Sequence, residues 1–231
     1  MAGVGVRAAG VRQTSGGYVV RVDRAALPFL VIAAAPAVVS LWVAPAGVAV
    51  ALLTLPIGVA LFFRDPDRRP PPDEGIVLAP ADGTIMHAGA ARPGEAPEGG
   101  WQQVTVFLSL LDVHINRTPV AGKVRRVEFV PGSFLPAFRA DAFRNEHSEI
   151  WLDHGGRTVV VRQVVGVLAR RVVCRVKPGD VLGPGARIGL MKFGSRMDVF
   201  MPVDTEVVVT RGARVRAGET IIGHLRQGVS A

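Results

Sequence analysis

The longest uncharged stretch of the chain covers residues 25–63, which are almost entirely apolar and are flanked by arginines. As a single helix this run would extend about 58 Å, roughly twice the hydrocarbon thickness of a bilayer. Residues 45–47, a Pro-Ala-Gly sequence near the midpoint, favour a turn. The pattern therefore predicts an N-terminal apolar helical hairpin with arms at 27–43 and 46–63.

Charged segments border this hairpin on both sides. A basic N-terminal segment, residues 1–24, precedes it, and a proline-rich charged stretch, residues 64–74, follows it as a semi-rigid linker. Basic flanks and an uncharged tip predict that both ends face the cytoplasm, which places the protein on the cytoplasmic face of the cell membrane. Pro36 and Pro56 interrupt the arms, so a hairpin that only dips into one leaflet is the alternative.

The remainder, residues 75–231, consists of short β-rich runs separated by glycine and proline. Helical periodicity is confined to one segment, near 136–144. This pattern predicts a mostly β soluble domain, a sandwich or a barrel. The expected strands are 75–78, 84–88, 103–108, 123–129, 158–165, 171–176, 196–201, 206–210 and 220–225.

Composition narrows the class of protein. The chain has 231 residues and a formal net charge of +8, but it has one tyrosine and no basic run interleaved with aromatic residues, so nucleic-acid binding is not expected. A single cysteine, Cys174, excludes a disulfide framework and a cysteine-based zinc site. None of the five histidines has metal-ligand spacing to another, so we expect no metal site.

Three short stretches bring reactive groups to the ends of predicted strands. Asp112 and His114 follow an apolar run and, two residues apart, would share one face of a strand. Asp82 lies in an Asp-Gly turn, where a carboxylate could orient a histidine. Gly194 and Ser195 lie where a strand ends or reverses, and there a serine hydroxyl next to a carbonyl is a potential internal nucleophile. Each stretch alone is also explained by ordinary turn chemistry.

Four motifs in order resemble the phosphatidylserine decarboxylase family in its short bacterial and archaeal form. They are FRDPDR at 63–68, APADG at 79–83, DVHINRTP at 112–119 and KFGSRMDVF at 192–200. The resemblance implies a proenzyme that cuts itself between Gly194 and Ser195, giving a β chain of residues 1–194 and an α chain of residues 195–231. It also implies that Ser195 becomes a covalent pyruvoyl group.

The resemblance assigns roles to individual residues. Ser195 is the pyruvoyl precursor, and the pyruvoyl ketone forms a Schiff base with the amine of phosphatidylserine, whose decarboxylation gives phosphatidylethanolamine. His114 is the expected base and proton donor, and Asp82 its orienting carboxylate. Long-form members carry a second histidine where this chain has Arg117, so His147 is the alternative second imidazole. His147 and Arg117 are also the candidates for binding substrate. Arg117 either pairs with the lipid phosphate or is a solvated surface charge.

The expected partners are a phospholipid substrate, the membrane and the two chains produced by cleavage; the sequence leaves a homo-oligomer open. Two rival interpretations remain at this point. In the first, residues 189–202 form the lysine hairpin of a biotinyl or lipoyl carrier domain, and Lys192 bears the cofactor. The same likeness indicates a shared fold, so the soluble domain is expected to be mostly β and barrel-sandwich-hybrid-like. In the second, the chain is a membrane-anchored structural β domain, which leaves the four ordered motifs to chance.

Overall fold

The computed structural model describes residues 20–167, 172–192 and 194–226. Most of the predicted basic segment 1–24, namely residues 1–19, therefore lies outside the described part. Three α-helices occur near the N-terminus and sixteen strands are distributed through the described residues. The helices are α1 (Leu27–Val43), α2 (Ala46–Leu52) and α3 (Thr54–Phe62), and 3-10 turns cover Arg24–Ala26 and Ala140–Arg144.

The apolar run forms helices as predicted, although its second arm is divided. Asp23 caps the first turn through a 2.9 Å hydrogen bond from the Ala25 N–H, and Pro28 occupies the start of α1, where its missing N–H costs nothing. The extended Ala44 and Pro45 end α1, and α1 then packs against α2 and α3. By length and composition Arg24–Val43 suffices to cross a membrane, whereas Ala46–Phe62 is a shorter apolar helical stretch.

The remainder of the described chain is mostly β structure, which confirms the predicted fold class. A curled antiparallel sheet has the strand order β11-β7-β8-β9-β13-β5-β4-β15, and two three-stranded sheets, β10-β12-β6 and β14-β16-β3, accompany it. The strands are β1 (Val20–Val22), β2 (Arg64–Pro66), β3 (Ile76–Leu78), β4 (Gly83–Ala90), β5 (Trp101–Leu108), β6 (Ile115–Arg117), β7 (Gly122–Val130), β8 (His147–His154), β9 (Arg157–Val164), β10 (Val173–Cys174), β11 (Val181–Leu182), β12 (Arg187–Leu190), β13 (Ser195–Pro202), β14 (Glu206–Val207), β15 (Arg214–Val215) and β16 (Ile221–His224).

Two hydrophobic clusters organise these elements. The larger one fills the β domain with valine, isoleucine, leucine and methionine side chains, including those of β5, β9 and β13. The smaller one joins the helices to the β domain, because Phe63 and Ala26 pack with Val113, Ile115 and Leu190. The base of the apolar helices is therefore buried against β6 and β12, while side chains farther along α1, such as Trp42, are exposed.

Charged contacts attach the segments that flank the helices to the β domain. Strand β1 pairs with β2, and Asp23 binds Arg175 through two 2.6 Å hydrogen bonds. Asp65, in the stretch predicted as a linker, is buried and accepts hydrogen bonds from Arg117 at 3.3 Å and Arg187 at 2.6 Å. The first residues of the stretch predicted as a linker are therefore fixed to the β domain through buried ion pairs.

Candidate active site

The Gly194–Ser195 peptide lies at the beginning of β13, inside the large sheet. Strand β13 is hydrogen-bonded to β5 on one side and to β9 on the other. Gly194 has a φ of 67°, a left-handed conformation that glycine adopts without the penalty a side chain would bring. The backbone at the predicted cut is thus held in a left-handed conformation.

The side chain of Ser195 is fully buried, and its hydroxyl oxygen has no hydrogen-bond partner within the described ranges. Leaving a buried hydroxyl unpaired costs about 1–3 kcal/mol. A folded protein retains such a group when another requirement outweighs that cost. The unpaired Oγ is therefore the strongest sign of reactivity at this peptide.

His114 lies just before β6 and is 1% exposed. Its Nδ1 donates a 2.9 Å hydrogen bond to the carbonyl oxygen of Asp112, which places the ring proton on Nδ1 and leaves the lone pair on Nε2. Nε2 is buried and has no hydrogen-bond partner in the described part of the chain. Burial lowers the pKa of His114 to about 4 from its ordinary 6.5, so the imidazole is neutral at pH 7.

The surroundings of His114 connect it to both the helices and the cut site. The ring of Phe62, the last residue of α3, lies 4.0 Å from the imidazole, measured between ring centroids, at an interplanar angle of 34°. The His114 carbonyl oxygen accepts a 3.2 Å hydrogen bond from the N–H of Met191, in the segment that leads to Ser195. The end of the apolar helices nearest the β domain thus covers one face of the His114 imidazole, the candidate proton acceptor.

The loop that carries His114 is held by the side chain of Asp112. This carboxylate accepts hydrogen bonds from the N–H and the hydroxyl of Ser109, at 2.8 and 2.7 Å, and it pairs with Arg214 at 2.5 Å. Although burial opposes ionisation, these bonds lower the pKa of Asp112 below its ordinary value. The carboxylate is therefore a fixed anchor for the carbonyl that binds His114.

Asp82 lies in the turn before β4, but its carboxylate oxygens bind elsewhere. One oxygen accepts a 2.7 Å hydrogen bond from Arg68 and the other a 2.8 Å bond from the N–H of Ala217. Within the described residues no hydrogen bond joins Asp82 to His114. Burial raises the pKa of Asp82, against the hydrogen bonds from Ala217 and Arg68.

The two candidates for binding substrate are buried and have internal partners. Arg117 is 5% exposed, so it is not a solvated surface charge. Besides Asp65, it donates to the carbonyl oxygens of Gly185 and Pro66 at 3.0 and 2.9 Å. His147, at the start of β8, donates from Nδ1 to the Asn145 carbonyl at 2.7 Å, and its Nε2 lies 3.6 Å from Glu149.

A buried charged network, which is not among the predicted site residues, lies directly after Ser195. Arg196 is 1% exposed and pairs with Asp198 at 2.8 Å and with Glu95. Thr105 donates a 2.6 Å hydrogen bond to Asp198. The sequence signal is an arginine and an aspartate at alternate positions of an otherwise apolar core strand, a pattern that requires buried partners for both charges.

Lys192 is half-buried and lies between β12 and β13, which belong to different sheets. Its ammonium lies 4.7 Å from the ring centroid of Phe29, on α1. Among the residues that the structure describes, no group of three or more His, Cys, Asp or Glu side chains could hold a metal ion.

Comparisons with known proteins identify the family. A family model described as phosphatidylserine decarboxylase matches residues 57–223. A relative from Chlorobium chlorochromatii, named phosphatidylserine decarboxylase proenzyme, is 46% identical over 165 residues, which cover 70% of this chain and 76% of the relative. Proteins of the same name from Desulfotalea psychrophila and Geotalea uraniireducens are 37% and 42% identical, covering 89% and 86% of this chain and 97% and 93% of their own lengths.

These matches extend over the β domain and into the helical segment, and they do not favour a carrier domain that uses Lys192. They confirm the resemblance carried by the four ordered motifs. The chain therefore belongs to the phosphatidylserine decarboxylase family and is a decarboxylase enzyme.

Proposed function

We propose that this protein decarboxylates phosphatidylserine to phosphatidylethanolamine at the membrane, with a pyruvoyl group that it makes by cleaving itself between Gly194 and Ser195. One observation carries the proposal: the Ser195 hydroxyl is buried and unpaired within the described residues, next to a glycine with a φ of 67°. The relatives are named proenzymes, which agrees with a chain that is processed.

Two buried atoms without a hydrogen-bond partner among the described residues, Ser195 Oγ and His114 Nε2, support the formation of this group. In the first step Ser195 Oγ attacks the Gly194 carbonyl carbon, and His114, neutral with its lone pair on Nε2, accepts the hydroxyl proton. The Gly194–Ser195 C–N bond then breaks to give an ester. Elimination of the Gly194 carboxylate leaves a dehydroalanine at position 195, and addition of water with loss of ammonia leaves the pyruvoyl group.

In the mature enzyme the pyruvoyl group supplies a carbonyl that withdraws electrons from the amine-bearing carbon of the substrate as CO₂ leaves. The chain itself has two further tasks. Buried surroundings exclude water from the reacting carbon, and His114 returns a proton to it. The neutral imidazole of His114 thus accepts a proton in self-cleavage, and in decarboxylation the protonated imidazole donates one.

Asp82, Arg117 and His147 have supporting roles in this proposal. Asp82 binds Arg68 and the Ala217 N–H, so it is a positioning residue that ties the linker stretch to the α chain. Arg117 already has three internal acceptors, which a lipid phosphate would have to displace, and His147 is held by Asn145 and Glu149. We assign both to the structure of the domain.

The two chains stay together after cleavage because β13 belongs to the α chain and both of its neighbours, β5 and β9, belong to the β chain. The exposed apolar side chains of α1 and α2 support anchoring in the membrane. Arginines beside the helices, Arg21, Arg24 and Arg64, favour the cytoplasmic face and an anionic lipid surface. Phe62 then places His114 near the base of the anchor.

Intact mass measurement of the protein purified from a membrane fraction tests the proposal. We expect two species under denaturing conditions: residues 1–194, and residues 195–231 with the terminal serine converted to pyruvoyl. The Ser195→Ala variant should remain one full-length chain without decarboxylase activity. Normal splitting of this variant would refute the pyruvoyl assignment, and a mass increment on Lys192 would favour a carrier.

A further inference from the structure

Gly166 lies directly against the carbonyl group of the predicted cut. A Cβ atom placed on Gly166 would lie 2.0 Å from the carbonyl oxygen of Gly194 and 3.2 Å from its carbonyl carbon. The first distance is far inside van der Waals contact, and the atoms it would meet belong to the backbone, which cannot swing aside as the end of a side chain can. Only glycine at position 166 is compatible with the observed position of this carbonyl.

The strand register explains this approach. Val164 on β9 pairs with Arg196 on β13, so continuing the antiparallel register by two residues places Gly166 opposite Gly194. Gly166 is buried, and the Cβ of Ala137 would lie 3.6 Å from an added Cβ at position 166. A larger residue at position 166 has little room to move away from β13, so it would displace the carbonyl group of Gly194 instead.

We propose that Gly166 is a positioning residue for self-cleavage: its bare Cα lets the Gly194 carbonyl occupy the place in which the Ser195 hydroxyl can attack it. This inference rests on the proposed function. In the step concerned, the Ser195 Oγ bonds to the Gly194 carbonyl carbon and its proton passes to Nε2 of His114. The C–N bond then breaks, and the same proton is transferred to the freed amine of Ser195, leaving an ester.

The test is the rate of self-cleavage of newly synthesised full-length protein in lipid nanodiscs, followed by denaturing electrophoresis and intact mass. Gly166→Ala moves the carbonyl by about 1 Å, a displacement that costs roughly 100-fold in rate in comparable oriented reactions. Gly183→Ala is the matched control, because Gly183 has nothing within 4 Å of an added Cβ and does not have a positive φ. This control should cleave at the rate of the unsubstituted protein.

A second comparison separates positioning from loss of stability. Ile222→Ala truncates a fully buried side chain on β16, which pairs with β3 and β14 and not with β9 or β13, and lowers the Tm by leaving a cavity. Stability is measured with each change combined with Ser195→Ala, so that all chains are uncut. At a temperature at which all precursors are folded, Ile222→Ala should cleave at the normal rate and Gly166→Ala should not.

Hydroxylamine identifies the step, because it cleaves an ester that has formed but not yet been eliminated. With Gly166→Ala, hydroxylamine-induced cleavage should be slowed as much as spontaneous cleavage. Four outcomes with Gly166→Ala would each overturn the role of Gly166. They are rapid hydroxylamine cleavage, a normal rate of spontaneous cleavage, a loss of cleavage that only follows the loss of Tm as for Ile222→Ala, and a precursor that does not fold at any temperature. Failure of the unsubstituted chain to cleave would instead refute the proposed function.

Discussion

Acidification should destabilise the uncut protein through His114. The unfolded chain has the ordinary histidine pKa of 6.5, whereas burial holds the pKa of His114 in the folded protein at about 4. Between these values the unfolded state binds the extra proton, so stability rises with pH and is lost as the pH falls from 6.5 towards 4. At 1.36 kcal/mol per pH unit, the loss contributed by His114 is about 3 kcal/mol between pH 7 and pH 4.

The assay is thermal unfolding of the Ser195→Ala protein in detergent at several pH values, alone and combined with His114→Asn. The asparagine amide can still donate to the Asp112 carbonyl, but it does not titrate. For a chain of this size about 3 kcal/mol corresponds to a Tm difference of roughly 6–12 °C. The His114 protein should lose this much more Tm on acidification than the asparagine variant, since the other titrating groups are common to both.

Equal pH dependence of the two Tm values would refute the reasoning, because it would show that His114 is not held neutral by burial. A difference that develops with rising pH would refute it as well, since that sign requires a raised pKa. The expected result has a functional meaning: the imidazole stays able to accept the serine proton down to about pH 4.

Two further predictions concern the backbone at the cut and the base of the helices. In Gly194→Ala the added Cβ meets no atom within 4 Å, but the residue keeps a φ of 67°, so the substitution should cost about 1 kcal/mol in stability. It should slow cleavage less than Gly166→Ala does. The Tm and the cleaved fraction measure these effects, and a greater loss of cleavage than with Gly166→Ala would contradict the prediction. Deletion of residues 1–63 removes Phe62 from the His114 ring but leaves both strands beside Ser195 in place, so it should release the protein from membranes while self-cleavage is retained. Intact mass showing only uncut chain would contradict this, and persistent tight membrane association would show that the anchor lies elsewhere.

The resemblance to the decarboxylase family rests on features that are local in the chain. These features can be read without knowing any tertiary contact. They are an uncharged run long enough for two helical arms, short β runs separated by glycine, and four motifs in order. Helix α1 ends where the predicted first arm ends, at Val43, because the extended Ala44 and Pro45 cannot continue a helix. The second arm divides at Leu53, a detail that the hydrophobic pattern does not encode.

Site contacts were harder to predict, since they join residues far apart in the sequence. The resemblance implies that Asp82 orients His114, whereas in the structure Arg68 and Ala217 bind its carboxylate and a backbone carbonyl holds the imidazole. The sequence leaves Arg117 as either a ligand for phosphate or a surface charge, because its burial beside Asp65 follows from the return of the linker stretch onto the domain.

The sequence alone determined which groups are present: an apolar anchor, a Gly-Ser dipeptide before an apolar strand, and a histidine that follows an apolar run. Tertiary structure decided which atoms meet. Strand register put Gly166 opposite Gly194, and packing of the helix base put Phe62 on His114. The physical reason is that secondary structure follows from neighbouring residues, whereas register and packing follow from the burial of distant residues in one common core.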